Sequence, residues 1–322
     1  MGLSRLRRLA EAAAAGYVAV LLLFALIGVF SFTTSTFFTG RNWQSLLVIQ
    51  AVTGTMALAA LMPLIVGEFD LSLGNLIGFL TMAGAYLAGH GGSATEMILL
   101  MIGGGIVVGV VNGLLTVVFK ISSFIATLGV GIILSGVTLG LSGGQVLFAG
   151  IPSLFSTIGQ HQFLGLAIAV WLTVGLAVIL FYVLEHTPVG RWWYAIGGSE
   201  RVAFLAGIRT GSLKVVAFMA AGAFIGVAAI FELGQAGAAN PGFGPDLLLP
   251  AYAAAFLGVT TYRPGYYNVP GTLVAILLLA VGFNGLSLMG VPFWVQPIFN
   301  GSVLLVAVLS ARAEARHVRV GG

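Results

Sequence analysis

The sequence predicts an all-α membrane protein that crosses the bilayer many times, and three observations support this fold class. Of its 322 residues, 59% are hydrophobic and only 7% are charged, whereas soluble domains carry about 25% charged residues. Several uncharged runs each exceed the ~20 residues that a helix needs to cross the hydrocarbon core. The sequence lacks the short alternating stretches that are typical of membrane β-strands. The whole chain, 1–322, is therefore predicted to form one transmembrane domain.

About ten spans result when breaks are placed where Gly, Pro and polar residues cluster. The predicted spans are 12–35, 44–66, 71–89, 96–119, 121–142, 162–184, 212–234, 247–262, 266–288 and 293–310. With a cytoplasmic N-terminus, all of the thirteen Lys and Arg residues except Arg41 fall on the cytoplasmic side, as the positive-inside rule requires. Residues 1–11, 185–211 and 311–322 are then cytoplasmic.

Glycines at four-residue spacing predict where helices pack closely, because small residues let two backbones approach in lipid. Three of them share one face of the predicted fourth span, and two further pairs repeat the spacing. The sets are Gly105, Gly109 and Gly113, then Gly136 with Gly140, and Gly222 with Gly226.

Two stretches with similar residues and opposite predicted orientation suggest a five-plus-five inverted repeat. Asp70 begins Asp-Leu-Ser-Leu and is followed 42 residues later by Asn112-Gly113. Asp246 begins Asp-Leu-Leu-Leu and is followed 38 residues later by Asn284-Gly285. Inverted repeats are typical of transporters, with the solute path at the interface of the repeats. Chance similarity in an apolar sequence is the alternative.

Polar residues at membrane depth are costly, so they tend to serve function or to pair with one another. The candidates to line a polar path are Asn112, Asn284, Gln296 and Asn300. Hydrogen bonding between helices is the alternative for these side chains. Asp70 is expected to cap the helix that begins at Leu71, because a carboxylate there accepts backbone N–H bonds. Lining the path is the alternative for Asp70.

The longest predicted cytoplasmic loop contains a two-turn helix. Ser199 suits its N-cap, Glu200 complements the positive end of the helix dipole, and Gly207 suits its C-terminal stop. Phe204 and Leu205 are then available to dock into a groove on a partner. An ordinary interfacial helix is the alternative.

The sequence offers no source of chemical energy. A phosphate-binding loop needs a lysine that follows a glycine, whereas Lys120 and Lys214 follow Phe119 and Leu213. The four histidines are scattered and there are no cysteines, so neither a metal cluster nor a catalytic triad is expected. The chain is predicted to be a transport protein, not an enzyme, that binds no cofactor and takes its energy from an ion gradient or another subunit.

Four segments resemble the membrane permease subunit of ribose-type ABC importers, in the branched-chain amino acid/ribose permease family. Residues 67–74 read Gly-Glu-Phe-Asp-Leu-Ser-Leu-Gly, similar to the family's Gly-Gly-Ile-Asp-Leu-Ser-Val-Gly. The other segments are 112–129, 190–208 and 284–286, and the likeness extends over about 48–309. The chain departs from the pattern at Glu68-Phe69, Ser122-Ser123 and residues 262–267.

The resemblance implies a complex in a bacterial inner membrane, surrounded by lipid and with both chain termini in the cytoplasm. Its partners would be a second permease copy or homologue, two cytoplasmic ABC ATPase subunits that bind ATP and Mg, and an extracytoplasmic solute-binding protein; no nucleic acid is expected. The segment that engages the ATPase would include Gly190, Arg191, Ser199, Glu200, Ala203, Phe204, Leu205 and Gly207.

The expected solute is a sugar, a polyol or a similar small polar molecule, since aromatic faces stack on sugars and amides bond their hydroxyls. The predicted pathway residues are Asn112, Phe124, Asn284, Phe293, Trp294 and Gln296, and the predicted helix-cap motif is Asp70 and Ser72. A secondary transporter driven by protons through Glu232 or Asp246 is the alternative, followed by a passive channel or a membrane scaffold.

Overall fold

The computed structural model describes residues 19–292, 294–299, 301–303 and 305. Helices dominate, and a short antiparallel hairpin, β1 Gln162–Phe163 with β2 Leu166–Ala167, precedes α7. The helices are α1 Ala19–Thr33, α2 Gly40–Ile65, α3 Leu73–Gly89, α4 Ala94–Val117, α5 Ser123–Ser142, α6 Ser153–Gln160, α7 Ile168–His186, α8 Pro188–Gly198, α9 Glu200–Leu205, α10 Thr210–Ala236, α11 Pro245–Gly258 and α12 Val269–Leu288. Residues 295–299 and 301–303 are also helical.

Nine of the ten predicted spans coincide with a helix in this part of the chain. Six helices are long and apolar enough to cross a membrane, namely α2, α4, α5, α7, α10 and α12, while α1, α3 and α11 are apolar but shorter. The chain is thus a multi-pass, mostly helical membrane protein. The predicted span 293–310 lies partly outside the described residues, and the predicted termini 1–11 and 311–322 lie wholly outside them.

The sequence prediction was wrong about the start of one span and did not foresee helices in two of the connections. Residues 162–167 were placed in a span but form the hairpin, whose turn holds Leu164 and Gly165 at φ 53° and 81°, so the span begins six residues later. The predicted polar connection before it contains α6, and much of the predicted loop 185–211 is the helix α8. Pro188 occupies the first turn of α8, where its fixed φ favours helix initiation.

The described chain divides into two compact units. One comprises Leu47–Leu248; the other combines Met1–Leu46 with Leu249–Gly322, of which the residues before 19, residues 293, 300 and 304, and those beyond 305 are not described. The divisions fall inside α2 and α11. The larger unit holds α3 to α10 and is built around α10, which packs against α3, α4, α6 and α8.

Helices α4 and α10 meet along the predicted glycine face. A Cβ atom at Gly105 would collide with the carbonyl of Gly222, and one at Gly109 would collide with the carbonyl of Phe218. The two backbones therefore touch, which requires glycine at these positions and confirms the prediction for them. Gly136 and Gly140 differ, because nothing described in the chain lies within 4 Å of a Cβ there.

Several helices of the larger unit keep an apolar outer face. The exposed residues of α4, α5 and α7 include Leu99, Val107, Ile125, Ile132, Ile133, Val178 and Ile179. A continuous apolar surface of this extent is unfavourable in water. These faces therefore suit an apolar environment, whereas polar side chains such as Asp70, Asn112 and Thr127 are buried inside the unit.

We expect Gly109→Val to destabilise the protein by about 1–3 kcal/mol, because the added side chain forces α4 and α10 apart. Gly103→Val on the same helix is the matched control, since a Cβ at Gly103 meets nothing within 4 Å. Thermal unfolding of the two purified variants in detergent, followed by tryptophan fluorescence, compares them. Equal midpoints would contradict the close backbone contact.

Candidate coupling site

The loop between α2 and α3, residues 66–72, contains a buried carboxylate. Asp70 is 1% exposed, and its Oδ1 accepts hydrogen bonds from the backbone N–H of Ser72 at 3.0 Å and from the Ser72 hydroxyl at 2.6 Å. Such a bond to the N–H two residues on is an Asx turn, which an Asp-x-Ser sequence favours. Burial raises the pKa of Asp70 to about 6 from its usual 3.8, while the hydrogen bonds from Ser72 and Asn112 act to lower it.

Asn112 of α4 completes this buried cluster. Its Nδ2 donates to Asp70 Oδ1 and Oδ2 at 3.2 and 3.3 Å and to Ser72 Oγ at 2.8 Å. The side chain is fully buried, and its Oδ1 has no hydrogen-bond partner among the described residues. Asn112 therefore links the loop to α4 by hydrogen bonds, as the alternative interpretation of this residue expected. Its role in a solute path stays a prediction.

The helix that follows the cluster starts later than the sequence suggested. The regular helix α3 begins at Leu73 rather than Leu71, and Ser72 occupies its N-cap position without a side-chain cap bond. The carboxylate of Asp70 bonds the N–H of Ser72, so it fixes the turn that leads into α3.

The same loop is tied to the start of α5. The N–H of Phe69 donates to Ser123 Oγ at 3.1 Å, and the N–H of Leu71 donates to Thr127 Oγ1 at 2.9 Å. The family pattern that this chain resembles has prolines in place of Ser122 and Ser123. A proline at position 123 could not supply the hydroxyl that accepts the N–H of Phe69. The neighbouring Phe124 is about half exposed.

Lys214, near the start of α10, joins two carboxylates. Its Nζ lies 2.7 Å from Glu68 Oε1 and 2.6 Å from Glu200 Oε2. The side chains of Lys214 and Glu68 are 10% and 15% exposed, while that of Glu200 is 52% exposed. Sequence reasoning missed this cluster, although charges in so apolar a chain are few enough that each one is expected to have a partner.

These three charged side chains line a cavity of about 560 Å³, here called the Lys214 cavity. Its wall also includes Lys120, Ser123 and Phe124. The structure thereby brings one predicted pathway residue, Phe124, and one predicted coupling residue, Glu200, to the same cavity. Asn112 is not part of its lining.

Helices α8 and α9 form the predicted coupling segment. A side chain at Gly190 would collide with the backbone of Leu184, so only glycine fits the tight passage from α7 into α8. Ser199 Oγ accepts the N–H of Val202 at 3.4 Å, and Gly207 has a φ of 84°. The predicted N-cap and C-terminal stop of the short helix are both present. Arg191 is exposed on α8.

The outer surface of α9 carries three large apolar side chains beside the exposed Arg201. Val202, Phe204 and Leu205 are 65%, 67% and 75% exposed. Ala203 is only 3% exposed, so it holds the helix against the unit and adds nothing to this surface. The surface formed by Val202, Phe204 and Leu205 is called the α9 face below.

The remaining predicted pathway residues belong to the smaller unit. Asn284 of α12 exchanges two hydrogen bonds with Asn42 of α2, at 2.9 and 3.1 Å. Trp294 and Gln296 are exposed, whereas Phe293 and Asn300 lie outside the described residues. Asn112 bonds Asp70 but Asn284 bonds Asn42, so the contacts of the two motifs differ and the inverted repeat stays a prediction.

Among the described residues, no group of three or more His, Asp or Glu side chains is arranged to hold a metal ion.

Comparison with known proteins identifies close relatives over most of the chain. The family model described as branched-chain amino acid transport system / permease component matches residues 42–308. The ribose import permease protein of Bacillus subtilis strain 168 is 34% identical over 298 residues, which is 91% of each protein. That of Escherichia coli K12 is 31% identical over 293 residues, covering 90% of this chain and 91% of the relative.

A third relative, the L-arabinose ABC transporter permease protein of Azospirillum brasilense, is 29% identical over 294 residues, or 90% of this chain and 85% of the relative. No solved structure gives a significant match. The four motifs had indicated the same family, and the length of the match confirms that resemblance. The chain belongs to the branched-chain amino acid transport system permease family, and it is a membrane permease component, not an enzyme.

Proposed function

We propose that this chain is the transmembrane permease subunit of an ABC importer for a sugar, a polyol or a similar small polar solute. ATP hydrolysis on separate cytoplasmic subunits would drive it. The observation that carries the proposal is the α9 face, an exposed apolar surface within the segment 190–208 that resembles the family's ATPase-engaging loop. The names of the relatives, ribose import permease and L-arabinose ABC transporter permease, support the solute class.

The α9 face suits docking because it presents large apolar side chains, with the exposed Arg201 beside them. Glu200 binds Lys214, so the carboxylate at the start of α9 is held by α10. Three large apolar side chains, those of Val202, Phe204 and Leu205, remain outside. Burying them in a groove of an ATPase subunit would remove this apolar area from water, at roughly 25 cal/mol per Å².

The complete assembly we propose has ten spans per permease, arranged as two inverted sets of five. It contains a second permease copy or homologue, two ATPase subunits with their ATP and Mg, and an extracytoplasmic solute-binding protein. The complex lies in a bacterial inner membrane with both termini of this chain in the cytoplasm. The charge distribution supports this orientation, because residues 185–211 are rich in arginine.

The solute path is proposed to include Phe124 in the larger unit and Asn284, Trp294 and Gln296 in the smaller unit. Their aromatic faces and amide groups match the apolar faces and hydroxyls of a sugar. The proton-driven alternative names two carboxylates: Asp246, which is exposed in the first turn of α11, and Glu232, which is partly buried near the end of α10.

We expect Leu205→Arg to abolish copurification of the ATPase subunits, and with it the ATP hydrolysis of the purified sample. The substitution puts a charge into the apolar contact between the α9 face and the ATPase. The matched control is Leu164→Arg in the β1–β2 hairpin, since the two leucines are 75% and 77% exposed. Both variants are purified in mild detergent and probed for the bound ATPase. Retention of the ATPase by Leu205→Arg would contradict docking through the α9 face.

The proposed orientation predicts which side of the membrane each surface faces. The chain has no cysteine, so Leu205→Cys and Leu164→Cys each provide a single labelling site. A membrane-impermeant maleimide is added to spheroplasts that lack the ATPase subunits, so that position 205 is not covered. It should label the Leu164→Cys variant only, and both variants after lysis. Labelling of the variant at 205 before lysis would overturn the orientation.

A further inference from the structure

We propose that Lys214 is a positioning residue that transmits the movement of α9 to the Asp70 loop and the start of α5. The inference rests on the proposed function, in which an ATPase subunit moves α9. It concerns how that movement continues inside the permease. The evidence is a series of contacts within the larger unit, each of which joins one segment to the next.

The first link joins α9 to α10 and to the Asp70 loop. Glu200 is the first residue of α9, so any displacement of this helix displaces its carboxylate. Lys214 binds that carboxylate at 2.6 Å and binds Glu68 at 2.7 Å with the same Nζ. Lys214 and Glu68 are largely removed from water, so their attraction is screened less than that of a surface pair.

The second link joins Glu68 to the cavity wall. The residue after Glu68 donates its N–H to Ser123, and two residues later Leu71 donates to Thr127. The loop is therefore fastened to the first turns of α5. Phe124 lies next to Ser123 and lines the same cavity as Glu68, Lys214 and Glu200. A shift of Glu68 therefore reaches Phe124, a proposed pathway residue.

A separate contact shows why an ion pair is needed for this task. Gly197, near the end of α8, lies so close to α2 that a Cβ would collide with the carbonyl of Ile65. This contact can push the end of α2, but it cannot pull, because two surfaces in van der Waals contact separate freely. The attraction of Lys214 for two carboxylates resists separation. The lysine therefore transmits the outward movement of α9 that steric contact alone does not.

The cavity contains a natural control. Lys120 also lines the Lys214 cavity, and the described residues show no ion pair between it and Glu68 or Glu200. Lys120→Met and Lys214→Met remove the same charge from the same cavity. Only the second substitution breaks the series of contacts.

The test measures distances between spin labels in the complex of this chain with its copurified ATPase, made free of cysteine. One label pair joins the C-terminal end of α9 to α5 through Ala206→Cys and Ile125→Cys; the other joins it to α7 through Ala206→Cys and Val178→Cys. All three positions are exposed and none belongs to the α9 face. Distances are compared without nucleotide and after trapping with ATP and vanadate.

In the unsubstituted background, trapping should change the α9–α7 distance and leave the α9–α5 distance unchanged, because α9 and α5 move together. With Lys214→Met, the α9–α5 distance should change on trapping. With Lys120→Met or Lys214→Arg it should not, since both variants keep the two ion pairs. An α9–α5 distance that stays constant in Lys214→Met would overturn the proposal.

Two single substitutions separate transmission from simple stabilisation. Glu68→Gln and Glu200→Gln each break one of the two ion pairs, and a transmission role requires both variants to behave like Lys214→Met. A merely structural role would spare Glu200→Gln, because that side chain is half exposed. A constant α9–α5 distance in Glu200→Gln would overturn the proposal, and this variant serves even if Lys214→Met does not fold.

The proposed function and the transmission role fail differently. If the unsubstituted chain binds no ATPase, both are wrong. If it binds the ATPase but trapping leaves the α9–α7 distance unchanged, α9 does not move as the role of Lys214 requires, and only that role is wrong. If α9 moves on trapping and Lys214→Met still keeps the α9–α5 distance, only the role of Lys214 is wrong.

Discussion

The backbone contact between α4 and α10 is the constraint on which the coupling site depends. Gly113 is the third glycine of the shared face, and a Cβ there would collide with the backbone of Val215. The residue before Gly113 is Asn112, and the residue before Val215 is Lys214. Close approach of the two helices therefore fixes the two side chains that hold the loop 66–72, Asn112 through Asp70 and Lys214 through Glu68.

This arrangement explains how an apolar chain accommodates polar groups. Each buried polar side chain of the loop is paired: Asp70 with Ser72 and Asn112, and Glu68 with Lys214. Unpaired, such groups would be costly to bury. Paired, they connect α2, α4, α5 and α10 at the end of the unit that carries α9. The loop thus serves as the common attachment point of these helices.

The sequence was informative where the physical signal is local. Long apolar runs located nine helices, and the four-residue spacing of Gly105 and Gly109 located the α4–α10 contact. The cap of α9 was also predictable, because Ser199 and Gly207 act within a few residues of themselves. Gly136 and Gly140 show the limit of such patterns, since the same spacing on α5 faces away from the rest of the described chain.

The predictions failed where distant residues meet. Lys214 and Glu68 are 146 positions apart, and no periodicity records such a pairing. Asn112 and Asp70 were both singled out within one half of the repeat, yet their hydrogen bond was not foreseen, because a spacing of 42 positions does not show that two side chains meet. The hairpin before α7 was hidden by its apolar residues, Phe163 and Leu164, which hydropathy does not distinguish from helix.

The two ion pairs of Lys214 also differ in the sequence distance they close, with a consequence for biogenesis. Glu200 is only 14 positions from Lys214, against 146 for Glu68. Contacts between near neighbours cost less loop entropy and form sooner. As α10 enters the bilayer, its lysine is therefore already neutralised by Glu200. A nascent chain meets a lower insertion barrier when its charge arrives with a counterion from the short helix that precedes it.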